Sequence, residues 1–168
     1  MSIADALLSD FRQEALNTRK ILEAVPEDRL EWKPHEKSMT LGQLAGHIAE
    51  TPGWAFGMME DELDTASSEQ EWKPFVPESA EQCLTKLEEC AAGFAQILDG
   101  RDDDFMSATW TMRHGDTIHM QAPRHAALRG VALHHWAHHR GQLTVYLRLL
   151  DVAIPSTYGP TADDTLGM

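Results

Sequence analysis

Four stretches of this sequence repeat apolar residues at three- and four-residue steps, and that spacing restricts the chain to a few helical folds. Ile3, Leu7, Phe11, Ala15, Thr18, Leu22 and Val25 mark a first helix, closed by Pro26. Thr40 with Gln43 forms a capping box for a second, whose stripe carries Leu41, Leu44, His47, Ile48, Thr51, Trp54, Ala55 and Met58. Pro52 lies inside that stripe and predicts a kink one turn past His47. Ser79 with Gln82 gives the same capping signal before Leu84, Leu87, Ala91, Phe94 and Leu98, and Gly100 is a natural C-terminal cap. Pro123 can open a fourth helix that runs to about Leu150.

The intervening segments read as loops: a polar one over 26–39 carrying Trp32 and Pro34, and one rich in Ser, Glu and Pro over 64–77. Residues 101–122 do not read as helix. Asp102-Asp103-Asp104 suggests a solvated turn, and the alternating runs on either side of Gly115-Asp116 suggest a short hairpin. The expected fold is therefore all-α: one domain over 1–168, a four-helix bundle with a short irregular or hairpin insertion before the last helix. Trp32, Trp54, Trp72, Trp110 and Trp136 read as packing residues, as do Met58 and Met59.

The formal charge of −13 repels phosphate backbones, and Lys and Arg form no compensating stripe, so nucleic-acid binding is disfavoured. No apolar run approaches the ~20 residues of a membrane span. The stretch Met1–Asp5 lacks the basic-then-apolar pattern of a signal peptide, so a cytoplasmic protein with no membrane partner is expected. Cys83 and Cys90, seven residues apart, would stand ~10 Å apart along a helix, too far to bridge, and read as reduced packing thiols.

Chemistry concentrates in Leu133-His134-His135-Trp136-Ala137-His138-His139-Arg140, which holds two overlapping His-x-x-x-His pairs. Residues four apart stack on one helix face, close enough for two imidazoles to share an ion. With Leu128 at the origin and about 100° per residue, His135 and His139 fall inside the apolar arc, whereas His134 and His138 fall towards its edge. The wheel thus selects 135/139 and leaves 134/138 for a rim, an interface or the surface. His47, on the apolar stripe of the second helix, is the best third ligand. Burying three imidazoles is costly unless their nitrogens find partners, and one divalent ion satisfies all three while leaving a position open. A lone His-x-x-x-His pair does not define a site, and an apolar-face histidine is more often a hydrogen-bonded core residue. The zincin motif is absent, because His135-Trp136 lacks its glutamate.

Three segments resemble the DinB-like (damage-inducible) family of metal-dependent four-helix-bundle proteins. They are His135-Trp136-Ala137-His138-His139-Arg140-Gly141-Gln142-Leu143 with Tyr146-Leu147-Arg148, Ser38-Met39-Thr40-Leu41-Gly42-Gln43-Leu44-Ala45-Gly46-His47-Ile48-Ala49-Glu50, and Ile154-Pro155-Ser156-Thr157-Tyr158-Gly159-Pro160. Segment 101–122 matches least. The resemblance implies a DinB-like bundle, often a homodimer, with metal ligands at His47, His135 and His139. It also implies thiol-dependent transferase or isomerase activity in some members, with a low-molecular-weight thiol as partner. It gives no reason to expect DNA binding.

The expected function is a divalent-metal-binding protein acting as a metal-dependent enzyme on a small molecule, of transferase, isomerase or hydrolase type. The alternative is a non-catalytic metal-binding, stress-related protein, which a fourth protein ligand such as Glu50 would favour. Zinc, nickel and iron all suit three imidazoles. Glu50, Gln142 and Tyr146 are candidates for contacts around the ligands or with substrate, and Arg140 is expected to pair with an acidic side chain or to orient the site. Trp54 could line a pocket opening towards the metal.

Overall fold

The structure is a computed structural model that describes residues 1–67 and 73–165; Trp72 lies outside the described residues. Helix α1 (Ile3–Glu23) starts at a capping box in which Ser2 and Asp5 satisfy each other's backbone N–H groups. Helix α2 (Leu41–Glu50) starts at the Thr40–Gln43 box, with both reciprocal bonds made. Helix α3 (Ala80–Leu98) is capped by Ser79, whose Oγ accepts from Gln82 N, while the Gln82 side chain accepts from Glu78 N. Gly100 follows at φ +69°, in the left-handed region that a glycine enters cheaply.

Pro52 replaces the expected kink with a change of helix type. Past Glu50 the chain tightens into a 3-10 helix, Thr51–Met58, with the proline in its first turn, where a missing N–H costs little. The last helix is also not uniform. It comprises α5 (Arg124–Leu128), a π-helical turn (Arg129–His134) and α6 (His135–Leu149). A π turn inserts one residue and rotates everything after it. That rotation explains why Trp136, His139, Arg140, Leu143 and Leu147 form the buried face of α6, and why Leu149, inside the apolar arc of an unbroken wheel, is exposed.

The main helix contacts are α1 with α3 and α6, and α2 with α3 and α6. Phe11 of α1 stacks on Phe94 of α3 at 4.0 Å and on Trp136 of α6 at 5.3 Å, joining three helices in one aromatic column. Trp136 donates from Nε1 to Ile48 O at 2.8 Å, which ties α6 to α2 beside the histidines.

The all-α expectation fails. Although the protein is 57% helical, it also carries a three-stranded mixed sheet. Strands β2 (Thr109–His114) and β3 (Thr117–Pro123) pair antiparallel around Gly115-Asp116, with Gly115 at φ +55° and a bulge at Met112/Arg113. Strand β1 (Glu62–Asp64) adds to β2 in parallel, Glu62 opposite Thr111 and Asp64 opposite Arg113. Arg113 ion-pairs with both carboxylates, which holds this short strand in register. Nor is the Asp102–Asp104 turn a turn: Asp102 caps a one-turn helix, α4 (Asp103–Ser107), and Asp103 accepts from Ile3 N.

Two buried groups fasten the sheet to the bundle. Trp110, 1% exposed, donates to Gly57 O of the 3-10 helix. Arg124, fully buried, donates to the carbonyls of Met58, Glu60 and Phe105 and to Asp61, with its guanidinium over the Phe105 ring. A buried guanidinium is tolerable only when its donors are matched in this way.

Candidate metal centre

The centre forms where α2 and α6 face each other. His47 lies in the last turn of α2, and His135 and His139 lie one turn apart at the start of α6. One ligand nitrogen from each falls within 4.8 Å of the other two. The Nε2 atoms of His47 and His135 are 3.1 Å apart. Two nitrogens bound to one tetrahedral ion at ~2.0–2.1 Å would stand ~3.3 Å apart, so the spacing fits. The rings are steeply inclined, His47 to His139 at 85° and His135 to His139 at 75°, both with centroids 4.4 Å apart. Each ring therefore presents an edge to a common point. The three could hold one metal ion.

Burial makes these nitrogens weak bases. The His47 pKa is lowered to about 4, first by burial and then by the neighbouring His139 and His135. His135 is lowered by burial, then by His139 and His138. His139 is lowered by burial and by His138, although its bond to Gln142 pulls the other way. At neutral pH all three rings are uncharged, the form that ligates metals.

The Nδ1 of His139 lies 2.7 Å from Gln142 Oε1. An amide oxygen only accepts, so Nδ1 carries the proton and Nε2 keeps its lone pair for a ligand site. Gln142 is largely exposed, yet its carboxamide reaches back to the centre. The other two accessory candidates point elsewhere. Glu50 accepts from Phe75 N at 3.1 Å, its second oxygen is buried without a partner among the described residues, and burial raises its pKa. It is absent from the metal-ligating group. Tyr146 donates to Met39 O and meets Trp32 edge-on at 5.7 Å, pinning the 32–39 loop instead. His134 and His138 are exposed, and the His138 ring lies 4.9 Å from that of His139.

Arg140 pairs with an acidic side chain, as its place in the sequence suggests. It donates to Glu14 O, Thr18 Oγ1, the Glu14 carboxylate and the Tyr158 hydroxyl, and that hydroxyl donates to Glu14 Oε2. Its partners are invisible to motif reading. The available signal was Glu14 itself, a carboxylate midway between Phe11 and Thr18 on the buried face of α1. Trp54, which the sequence placed near the site, comes close to it: its ring lies 5.0 Å from His47 and 5.4 Å from His135.

Bundle and cluster together define a helix-rich protein with three histidines able to hold a metal ion, joined to a small sheet. The DinB family model matches residues 1–165, and the chain belongs to that family. The uncharacterized protein YrdA of Bacillus subtilis (strain 168) is 27% identical over 161 residues, which is 95% of this chain and 90% of that protein. A DinB-like protein from Bacillus cereus ATCC 10987 superposes with a TM-score of 0.71 at 24% identity, covering 92% of this chain and 97% of its own. YjoA, a DinB-like protein of B. subtilis, gives 0.68 at 21% identity, covering 91% and 97%. These likenesses to solved structures show the fold.

Proposed function

We propose that the protein binds one divalent transition-metal ion through His47, His135 and His139 and is a metal-dependent enzyme acting on a small molecule, with a low-molecular-weight thiol as the first class to test. One observation carries this reading: three neutral imidazoles converge while no fourth protein ligand joins them among the described residues. A trio of that kind keeps a position for an exogenous donor, as catalytic zinc sites do. When bound, a divalent ion supplies Lewis acidity that lets a water or thiol ionise near neutral pH.

The chain's own residues prepare the site. Burial keeps the imidazoles unprotonated, and Gln142 fixes the His139 tautomer. The ligands bring no negative charge, so an anionic donor such as a thiolate is electrostatically favoured there. Glu50 turns towards Phe75, which argues against a closed, purely structural site.

Elemental analysis of untagged protein tests the first half of the reading. One zinc, nickel or iron per chain is expected, and each of His47→Ala, His135→Ala and His139→Ala should lower occupancy. Three variants with unrelated effects and no bound metal would refute it. For the second half, turnover with small thiols is expected in the metal-loaded protein and not after chelation.

A further inference from the structure

Trp54 differs from the tryptophans that only pack. Trp110 and Trp136 are at most 1% exposed and donate to the carbonyls of Gly57 and Ile48. Trp54 is partly exposed and stands beside two of the three histidines, edge-on to His47 at 69° and tilted 43° to His135. The other flank is polar: Gln142 and His138 accompany His139. The centre therefore has one aromatic wall and one polar wall.

That wall stands on the 3-10 helix that follows α2. Pro52 sets the 3-10 helix, Thr51 Oγ1 donates to His47 O at 2.6 Å, and Ala55 and Met58 are buried on either side of the same turn. Gly53 lies against Cys90, where a side chain at Gly53 would come within 3.1 Å of the sulfur. The 3-10 helix thus places the indole beside His47. Recognition beside the histidines has an aromatic surface to use.

We propose that Trp54 sets substrate preference: the ligand it favours has one metal-seeking donor atom, placed at the position the histidines leave open, and an uncharged aromatic or apolar group that lies along the indole. This rests on the metal-binding reading above, and the experiment separates the two. Untagged protein is loaded with Co2+, its occupancy is measured, and benzyl mercaptan, 2-mercaptoethanol and cysteamine are titrated while the Co2+ absorption is followed. Benzyl mercaptan should bind about three- to tenfold more tightly than 2-mercaptoethanol, the range expected of one aromatic contact. Trp54→Phe should keep most of that preference. Trp54→Leu and Trp54→Ala should reduce it to within about twofold while Co2+ occupancy and far-UV circular dichroism stay unchanged.

Equal binding of the three thiols to the wild type, tightest binding of cysteamine, or an unchanged preference in Trp54→Ala would overturn the proposal. So would loss of Co2+ from all three Trp54 variants, which would make the indole a structural support. Failure of the wild type to take up Co2+ would instead remove the metal reading, and this inference with it.

Discussion

His139 and Arg140 are adjacent in sequence and both nearly buried, at 9% and 2% exposed, yet the protein treats their titratable groups in opposite ways. His139 faces α2, and burial lowers the pKa of its ring. Arg140 faces α1, where Glu14, Thr18 and Tyr158 meet its donors within the chain. One environment is complete without help from solution. The other brings three imidazoles around a common point where an ion could be held. Burial alone therefore does not separate a structural network from a binding site; the state of the partners does.

The sharpest break in that comparison comes from the complete side. Arg140→Met should destabilise the fold by about 3 kcal/mol, the low end for breaking a buried pair because Glu14 keeps some contact with water. Chemical denaturation would read this as a lower midpoint. A loss below about 1 kcal/mol would mean that the network is no stronger than a surface ion pair.

The incomplete side should respond to metal instead. Zn2+ at a hundred times its dissociation constant should stabilise the wild type by about 2.7 kcal/mol, and His139→Ala should abolish the gain. Gln142→Ala should keep the fold but weaken metal binding by roughly tenfold or more, by freeing the His139 tautomer. If Glu14→Gln weakens Zn2+ binding as strongly, the two environments are one unit and the contrast fails.

A smaller effect concerns acidity. The folded His47 pKa is about 4, against an ordinary value of 6.5. Between those values the unfolded chain holds the extra proton, so stability rises with pH across this window and is lost as pH falls through it. Glu50 acts in the opposite direction, because its raised pKa makes the folded state the one that retains a proton. Comparing metal-free wild type with His47→Gln isolates the histidine: the variant should show a flatter decline below about pH 6.5. Equal slopes would show that His47 keeps its ordinary basicity.

Much of the helical frame was legible in local sequence. Thr40, Ser79 and Gly100 act within one turn of where they sit, and periodicity reports burial on a regular helix. The histidine trio was legible for the same reason, two members being one turn apart and the third lying on an apolar stripe. The sheet was not. β1 is three residues long, has no alternation, and finds its partner Thr111 far along the chain. Nothing local marks a strand held by the ion pairs of Arg113. The burial of Arg140 was hidden by the π turn, which shifts the wheel just before His135.

That π turn makes α5 and α6 one rod with two phases. Upstream, Arg124 must point into its cage of carbonyls; downstream, His135 and His139 must point at His47. An uninterrupted α-helix of the same sequence could satisfy one end only. The stretch from Arg129 to His134 is therefore intolerant of single-residue insertions and deletions, because it sets the phase between the two ends of the rod. Changing its length by one residue would force the molecule to choose between its sheet and its histidine centre.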